Sequence, residues 1–236
     1  MPNEQQPCST MVIGLIGGIG SGKSRVAQLF ACHGARIIRG DELAHEALRQ
    51  PEIREQVVRR WGADLLDDRG EIQRRKLAAI VFGNQKELRV LEGMVHPWVK
   101  HAIAAEVDRL RADPTVPLIV LDAAVMLEAG WNGVCGRLVF VEAPREARLQ
   151  RIAARGWTEK DLQQREAAQM PLTEKATRAD HVLDNSASLD ELGRKVDDLV
   201  RHWTQLSRTP SEPTEPSGAI AATGACECVR NDRSPK

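Results

Sequence analysis

One stretch limits what this chain can be. Gly17-Gly18-Ile19-Gly20-Ser21-Gly22-Lys23-Ser24 matches G-x-x-x-x-G-K-[ST] in full. Ahead of it lies the short apolar run Met11–Ile16, with the length and flanks of a buried parallel strand. Behind it, Val26, Leu29 and Phe30 recur at helical spacing over 22–33, and Gly34 is a helix stop. Strand, glycine loop, helix is the context in which this motif holds a polyphosphate. Glycines let the main chain curl with its N–H groups inward, and the helix that follows adds its positive end. A chance glycine-rich turn would not come with both flanks. The residues expected to hold a nucleotide are Gly18, Ile19, Gly20, Ser21, Gly22, Lys23, Ser24 and Arg25. Lys23 would reach the β and γ phosphates, and Ser24 would ligate Mg²⁺.

Further strands are expected at 35–39, 117–122, 137–142 and 181–184, alternating with helices at 42–49, 145–155, 159–169 and 188–206. Alternation of this kind predicts an α/β fold, a P-loop NTPase-type three-layer sandwich on a parallel sheet. Residues 51–112 read as mostly helical, interrupted at Gly62, at 67–70 and sharply at His96-Pro97. That block is too long for one crossover and is expected to form a helical sub-domain over the strand ends. A core at 11–50 and 113–206 and a lid at about 145–178 complete the domain. Residues 1–10 are expected to be a flexible N-terminus. From Ser207 onward, four Pro, two Gly and seven Ser or Thr in 30 residues predict a disordered tail.

Composition narrows the function. Lys plus Arg and Asp plus Glu both number 33, and aromatics are 3% with no Tyr. Neither a dedicated nucleic-acid binder nor a stacking platform for single strands is expected. No apolar run is long enough to span a membrane. Five cysteines without zinc spacing read as reduced thiols, hence a cytoplasmic protein; the Cys226/Cys228 pair alone is a weak metal motif. Oligomeric expectation is a monomer or a weak homo-oligomer. No Asn-Lys-x-Asp guanine motif follows a strand, and the size suits a small-molecule kinase rather than a motor.

Transfer to a hydroxyl calls for a carboxylate beside the acceptor. Asp41, just past the second strand, reads equally as that group or as a helix N-cap. Asp122, closing four apolar residues, reads equally as a Mg²⁺-holding acid or as an ordinary strand end. Arg145, Arg148, Arg151 and Arg155 share one side of a helix and could close on a triphosphate or simply face solvent. His96, His45 and the five tryptophans read first as cap or packing residues, with Glu128 a weaker polar candidate.

Together these segments resemble the dephospho-CoA kinase family over about residues 11–206. The resemblance lies in Ile13–Ser24, in Asp41 with Ala44-His45, and in Gln73–Leu77 and His96-Pro97. It continues through Asp122–Glu128, Ala167–Met170 and Ala179–Asn185. It implies ATP- and Mg²⁺-dependent phosphorylation of the ribose 3′-hydroxyl of dephospho-CoA, with another nucleoside, nucleotide or sugar-acid kinase as the alternative. It implies Asp41 as catalytic base, Lys23 and the loop on ATP, lid arginines, Arg148 and Arg155, near the phosphates, and residues 51–112 as a helical substrate-binding insert that takes the CoA moiety. Three positions depart from the family pattern: Arg39-Gly40 precedes Asp41 where Asp-Ala is usual, Ala124 replaces a Pro, and Arg25 replaces a Thr. With Arg39 in an acid's place, more of the Mg²⁺ role falls to Asp122.

Overall fold

The computed structural model describes residues 10–206, so the expectations for 1–9 and for the tail, with Cys8, Cys226 and Cys228, lie outside the described residues. Five parallel strands form the sheet: β1 (Met11–Gly17), β2 (Arg36–Arg39), β3 (Leu118–Asp122), β4 (Arg137–Glu142) and β5 (His181–Asp184), in the order β2-β3-β1-β4-β5. Each pairing is parallel, so all five carboxyl ends lie at one edge.

Side chains alternate between two cores, as the two-residue period of a strand requires. Val12, Ile16, Ile119, Leu121 and Phe140 face one cluster. Ile13, Leu15, Val120, Val139 and Val141 face the other, closed by Phe30 of α1 (Lys23–Cys32) and by Leu192, Val196 and Leu199 of α9 (Leu189–Leu206). The three-layer expectation therefore holds.

Between β2 and β3 run α2 (Gly40–Ala47), α3 (Pro51–Trp61), α4 (Arg74–Val81) and α5 (Gln85–Arg111). The apolar faces of this insert join the first cluster through Ile53, Val57, Leu77, Val99 and Ile103. The expected break at His96-Pro97 is absent: α5 continues through Pro97. Proline forfeits one main-chain bond and strains the preceding turn, at about 3 kcal/mol. The buried stripe Val95, Val99, Ile103, Val107 and Leu110 outweighs that cost and keeps one helix. His96 packs edge-on to Trp131 at 5.2 Å, the packing role expected of it. After β4 come α6 (Arg145–Ala153), α7 (Glu159–Glu166) and α8 (Leu172–Thr177).

Candidate active site

In an open parallel sheet, ligands collect beyond the strand carboxyl ends where neighbouring crossovers diverge. Here β1 lies between β3 and β4, and its end carries the glycine loop. A cavity of about 1010 Å³ opens there, lined by the loop, by Asp41 and Asp122, by the insert and by the lid. That is at the upper limit of ordinary small-molecule sites, about 300–1,000 Å³, and leaves room for two ligands.

The loop is held through its carbonyls. Arg151 donates to the Gly20 and Ser21 carbonyls at 3.2 and 3.0 Å. Asn185, just past β5, donates to the Ser21 carbonyl at 2.7 Å. Lys23 Nζ donates to the Gly17 and Gly18 carbonyls at 3.1 and 3.0 Å. The first turn of α1 has no side-chain cap; its Arg25 and Val26 amides bond to the Gly22 carbonyl, and those of Lys23 and Ser24 are the ones placed for an anion. Gly22, the N-cap, has φ +98° and lies so close to Asn185 that a Cβ would collide with its amide nitrogen.

Burial is the largest influence on Lys23, bringing its pKa down to about 8; Lys175 and Arg155 add repulsion, while Asp122 and Asp41 partly restore the charge. Asp41 lies in the first turn of α2, whose N-cap is Arg39, so it is not the capping residue that one reading of the sequence allowed. Its carboxylate lines the cavity. Loss of hydration, then repulsion from Asp122, raises its pKa, opposed by Lys23 and the Ala124 amide. Asp122 lies opposite Arg39 in the β2–β3 register, which brings both acids to one wall.

Ile19, Gly20, Gly22, Lys23, Ser24, Arg25, Asp41, Asp122 and Arg155 all line this cavity. Gly18, Ser21 and Arg148 line instead a smaller pocket of about 160 Å³ beside β4 and α8. Arg148 is buried, pairs with Glu166, and directs Nη1 toward the Ile19 carbonyl at 3.4 Å. Arg145 faces outward onto Glu159 at 2.8 Å. So the arginine stripe divides, with Arg148 behind the loop and Arg151 and Arg155 in front.

The cavity also holds residues that sequence reasoning did not select. Arg165 of α7 lies between the rings of Phe82 and Trp157, 4.2 and 4.1 Å from their centroids, joining lid to insert. Arg39 and Glu92 line the wall too, as does His45, whose Nε2 meets Arg74 of the insert at 2.7 Å. Asn185 ended a segment already noted, whereas Phe82 and Arg165 are too far apart in sequence for any local signal to join them.

Ser24 and Asp122 offer a hydroxyl and a carboxylate oxygen to the same cavity, hard donors of the kind Mg²⁺ takes alongside phosphate and water. Among the described residues no group of three or more His, Cys, Asp or Glu is placed to hold a metal ion. No helix of the described residues is long and apolar enough to cross a membrane.

Comparison with known proteins agrees with this geometry. A family model described as dephospho-CoA kinase matches residues 11–191. The dephospho-CoA kinase of Aquifex aeolicus is 38% identical over 199 residues, 84% of this chain and 98% of that protein. That of Geobacillus kaustophilus is 36% identical over 201 residues, 84% of this chain and all of its own length (100%). A crystal structure of a Thermus thermophilus protein superposes with TM-score 0.67 at 36% identity, covering 82% of this chain and 97% of its own. The dephospho-CoA kinase structure from Campylobacter jejuni, 23% identical, shares the fold with TM-score 0.62 over 82% of this chain and 97% of its own.

Proposed function

The chain belongs to the dephospho-CoA kinase family, and from that premise we propose how its cavity carries out the reaction. The reaction is transfer of a phosphoryl group from ATP to the ribose 3′-hydroxyl of dephospho-CoA, giving coenzyme A and ADP, the last step of CoA biosynthesis. The observation that carries the assignment of roles is the convergence of Lys23, Asp41 and Asp122 on one cavity at the sheet's carboxyl edge.

ATP lies with its polyphosphate in the loop, held by the free amides at the start of α1 and by Lys23. A γ-phosphate is a stronger acceptor than the Gly17 and Gly18 carbonyls that Lys23 now meets, and its charge keeps the ammonium protonated. Ser24 and Asp122 would hold Mg²⁺, which supplies charge neutralisation at the phosphates. Dephospho-CoA enters from the insert, whose Phe82, Leu88 and Glu92 face the same space. Asp41 accepts a hydrogen bond from the 3′-hydroxyl, aims its oxygen at the γ-phosphorus and takes its proton late in transfer. Its pKa, raised by lost hydration and by Asp122, makes it a better proton acceptor than an ordinary carboxylate. Arg155 faces the transferring group from the lid. Arg148, through the Ile19 carbonyl, steadies the loop rather than meeting the cavity. The lid also excludes water that would divert ATP to hydrolysis.

The test is ADP release with and without dephospho-CoA, run beside other alcohol acceptors. Asp41→Asn should lower kcat about 10²–10⁴-fold while KM for ATP changes little. Wild-type turnover in that variant would remove Asp41 from the chemistry.

A further inference from the structure

One buried cation has no part in the transfer just described. Lys175, on α8, is 1% exposed. Its Nζ pairs with Glu128 Oε1 at 2.8 Å and donates to Gln169 Oε1 at 3.1 Å and to the Ala124 carbonyl at 3.3 Å. Glu128 Oε1 also accepts from the Met170 amide at 2.9 Å, while Oε2 is buried without a hydrogen-bond partner among the described residues. Apart from the Lys175–Gln169 bond, which lies within the second, these contacts join two segments: 124–128, just after β3, and 169–175, where the lid returns to the core.

The first of those segments borders both catalytic acids. Asp122 precedes it, and Ala124 and Val125 line the cavity. Ala123 is pressed against Gly40, where a Cβ would come within 2.7 Å of the Ala123 Cβ. The start of α2, and with it Asp41, therefore cannot shift independently of residue 123. A buried lysine–glutamate pair is a poor source of net stability, because both charges give up water.

We propose that Lys175 is a positioning residue for phosphoryl transfer: through the Ala124 carbonyl it fixes the segment that follows Asp122 and abuts the helix start carrying Asp41, and through Glu128 and Gln169 it ties that segment to the end of the lid. The proposal rests on the roles given above to Asp41 and Asp122.

Two variants test it in the full chain. Lys175→Met removes the donor and strands the Glu128 charge. Lys175→Met with Glu128→Gln removes the stranded charge as well but returns no donor to Ala124. Thermal midpoints are measured first, and rates are then taken well below each midpoint, so that turnover refers to folded protein. Expected is a kcat about 10²-fold below wild type in both variants, as for a small misplacement of reacting groups. KM for ATP should stay within about threefold, since the Lys175 ammonium bonds to Glu128, Gln169 and Ala124 rather than to the loop. The double variant should have the higher midpoint of the two. If the double variant regains wild-type kcat, Lys175 serves stability alone and the proposal is overturned. A rise in the ATP KM with kcat unchanged overturns it equally. Failure of the underlying roles is seen elsewhere, as wild-type turnover in Asp41→Asn.

Discussion

Raising the pH from 7 to 9 should weaken ATP capture by this protein about tenfold. Lys23 is the group responsible, since enclosure by the loop brings its pKa down to about 8. At that value about nine tenths of the free protein carries the ammonium at pH 7 and about one tenth at pH 9. With only the charged form gripping the polyphosphate, affinity falls in the same ratio, about 1.4 kcal/mol. The quantity to follow is kcat/KM for ATP, which reports ionisations of the enzyme form that ATP meets, from initial rates of ADP release at saturating dephospho-CoA and constant ionic strength. kcat itself should change less, because bound phosphate restores the proton to Lys23. Stability takes the opposite sign. A lysine whose folded pKa lies below the ordinary 10.5 imposes its full cost below about 8, and the cost fades as pH rises toward 10.5. Unfolding driven by this group therefore cannot produce the loss. Lys23→Arg keeps a fixed charge, so its ATP dissociation constant should stay level across the interval. A wild-type kcat/KM that is flat up to pH 9, or an equal decline in ATP affinity for Lys23→Arg, would refute the reasoning.

Asp41→Asn should raise the unfolding midpoint of the ligand-free protein at pH 7, although it cripples turnover. An acid whose folded pKa lies above the ordinary 3.8, first by burial and then by Asp122, costs stability once the pH passes that ordinary value, and the amide does not; a lower midpoint by scanning calorimetry would contradict this. Gly22→Ala should destabilise the protein by about 1–3 kcal/mol, since φ +98° and the adjacent Asn185 amide leave no place for a methyl group; urea unfolding measures that loss, and calorimetry should show ATP binding abolished. Pro97→Ala should stabilise α5, by up to about 3 kcal/mol for a restored helical bond less about 0.4–1 kcal/mol for a freer unfolded chain. An unchanged urea midpoint would show that the helix already accommodates the ring without strain.

Local pattern was enough to place the strands. Each is a short apolar run bounded by turn residues, and the observed limits differ from expectation by at most one residue at either end. The glycine loop was legible for the same reason, because its function is written in adjacent residues whose backbone needs are intrinsic. Pro97 was misread because local stereochemistry disfavours a helix there, whereas the stripe Val95–Leu110 that overrides it acts through burial against distant partners. Likewise, helical spacing grouped the lid arginines on one side but could not divide them. Only the approach of α6 to the loop sends Arg148 behind it and leaves Arg151 and Arg155 in front. The strand order β2-β3-β1-β4-β5 is what sets Asp41 and Asp122 on one wall, the packing of lid on insert is what places Arg165 between Phe82 and Trp157, and the return of α8 is what buries Lys175 on Glu128. Periodicity and turn chemistry are properties of neighbours along the chain, so the strands and the phosphate loop could be read before any tertiary contact was known. Long-range side-chain contacts depend on the path of the whole backbone, and that path exists only once both faces of the sheet have been covered.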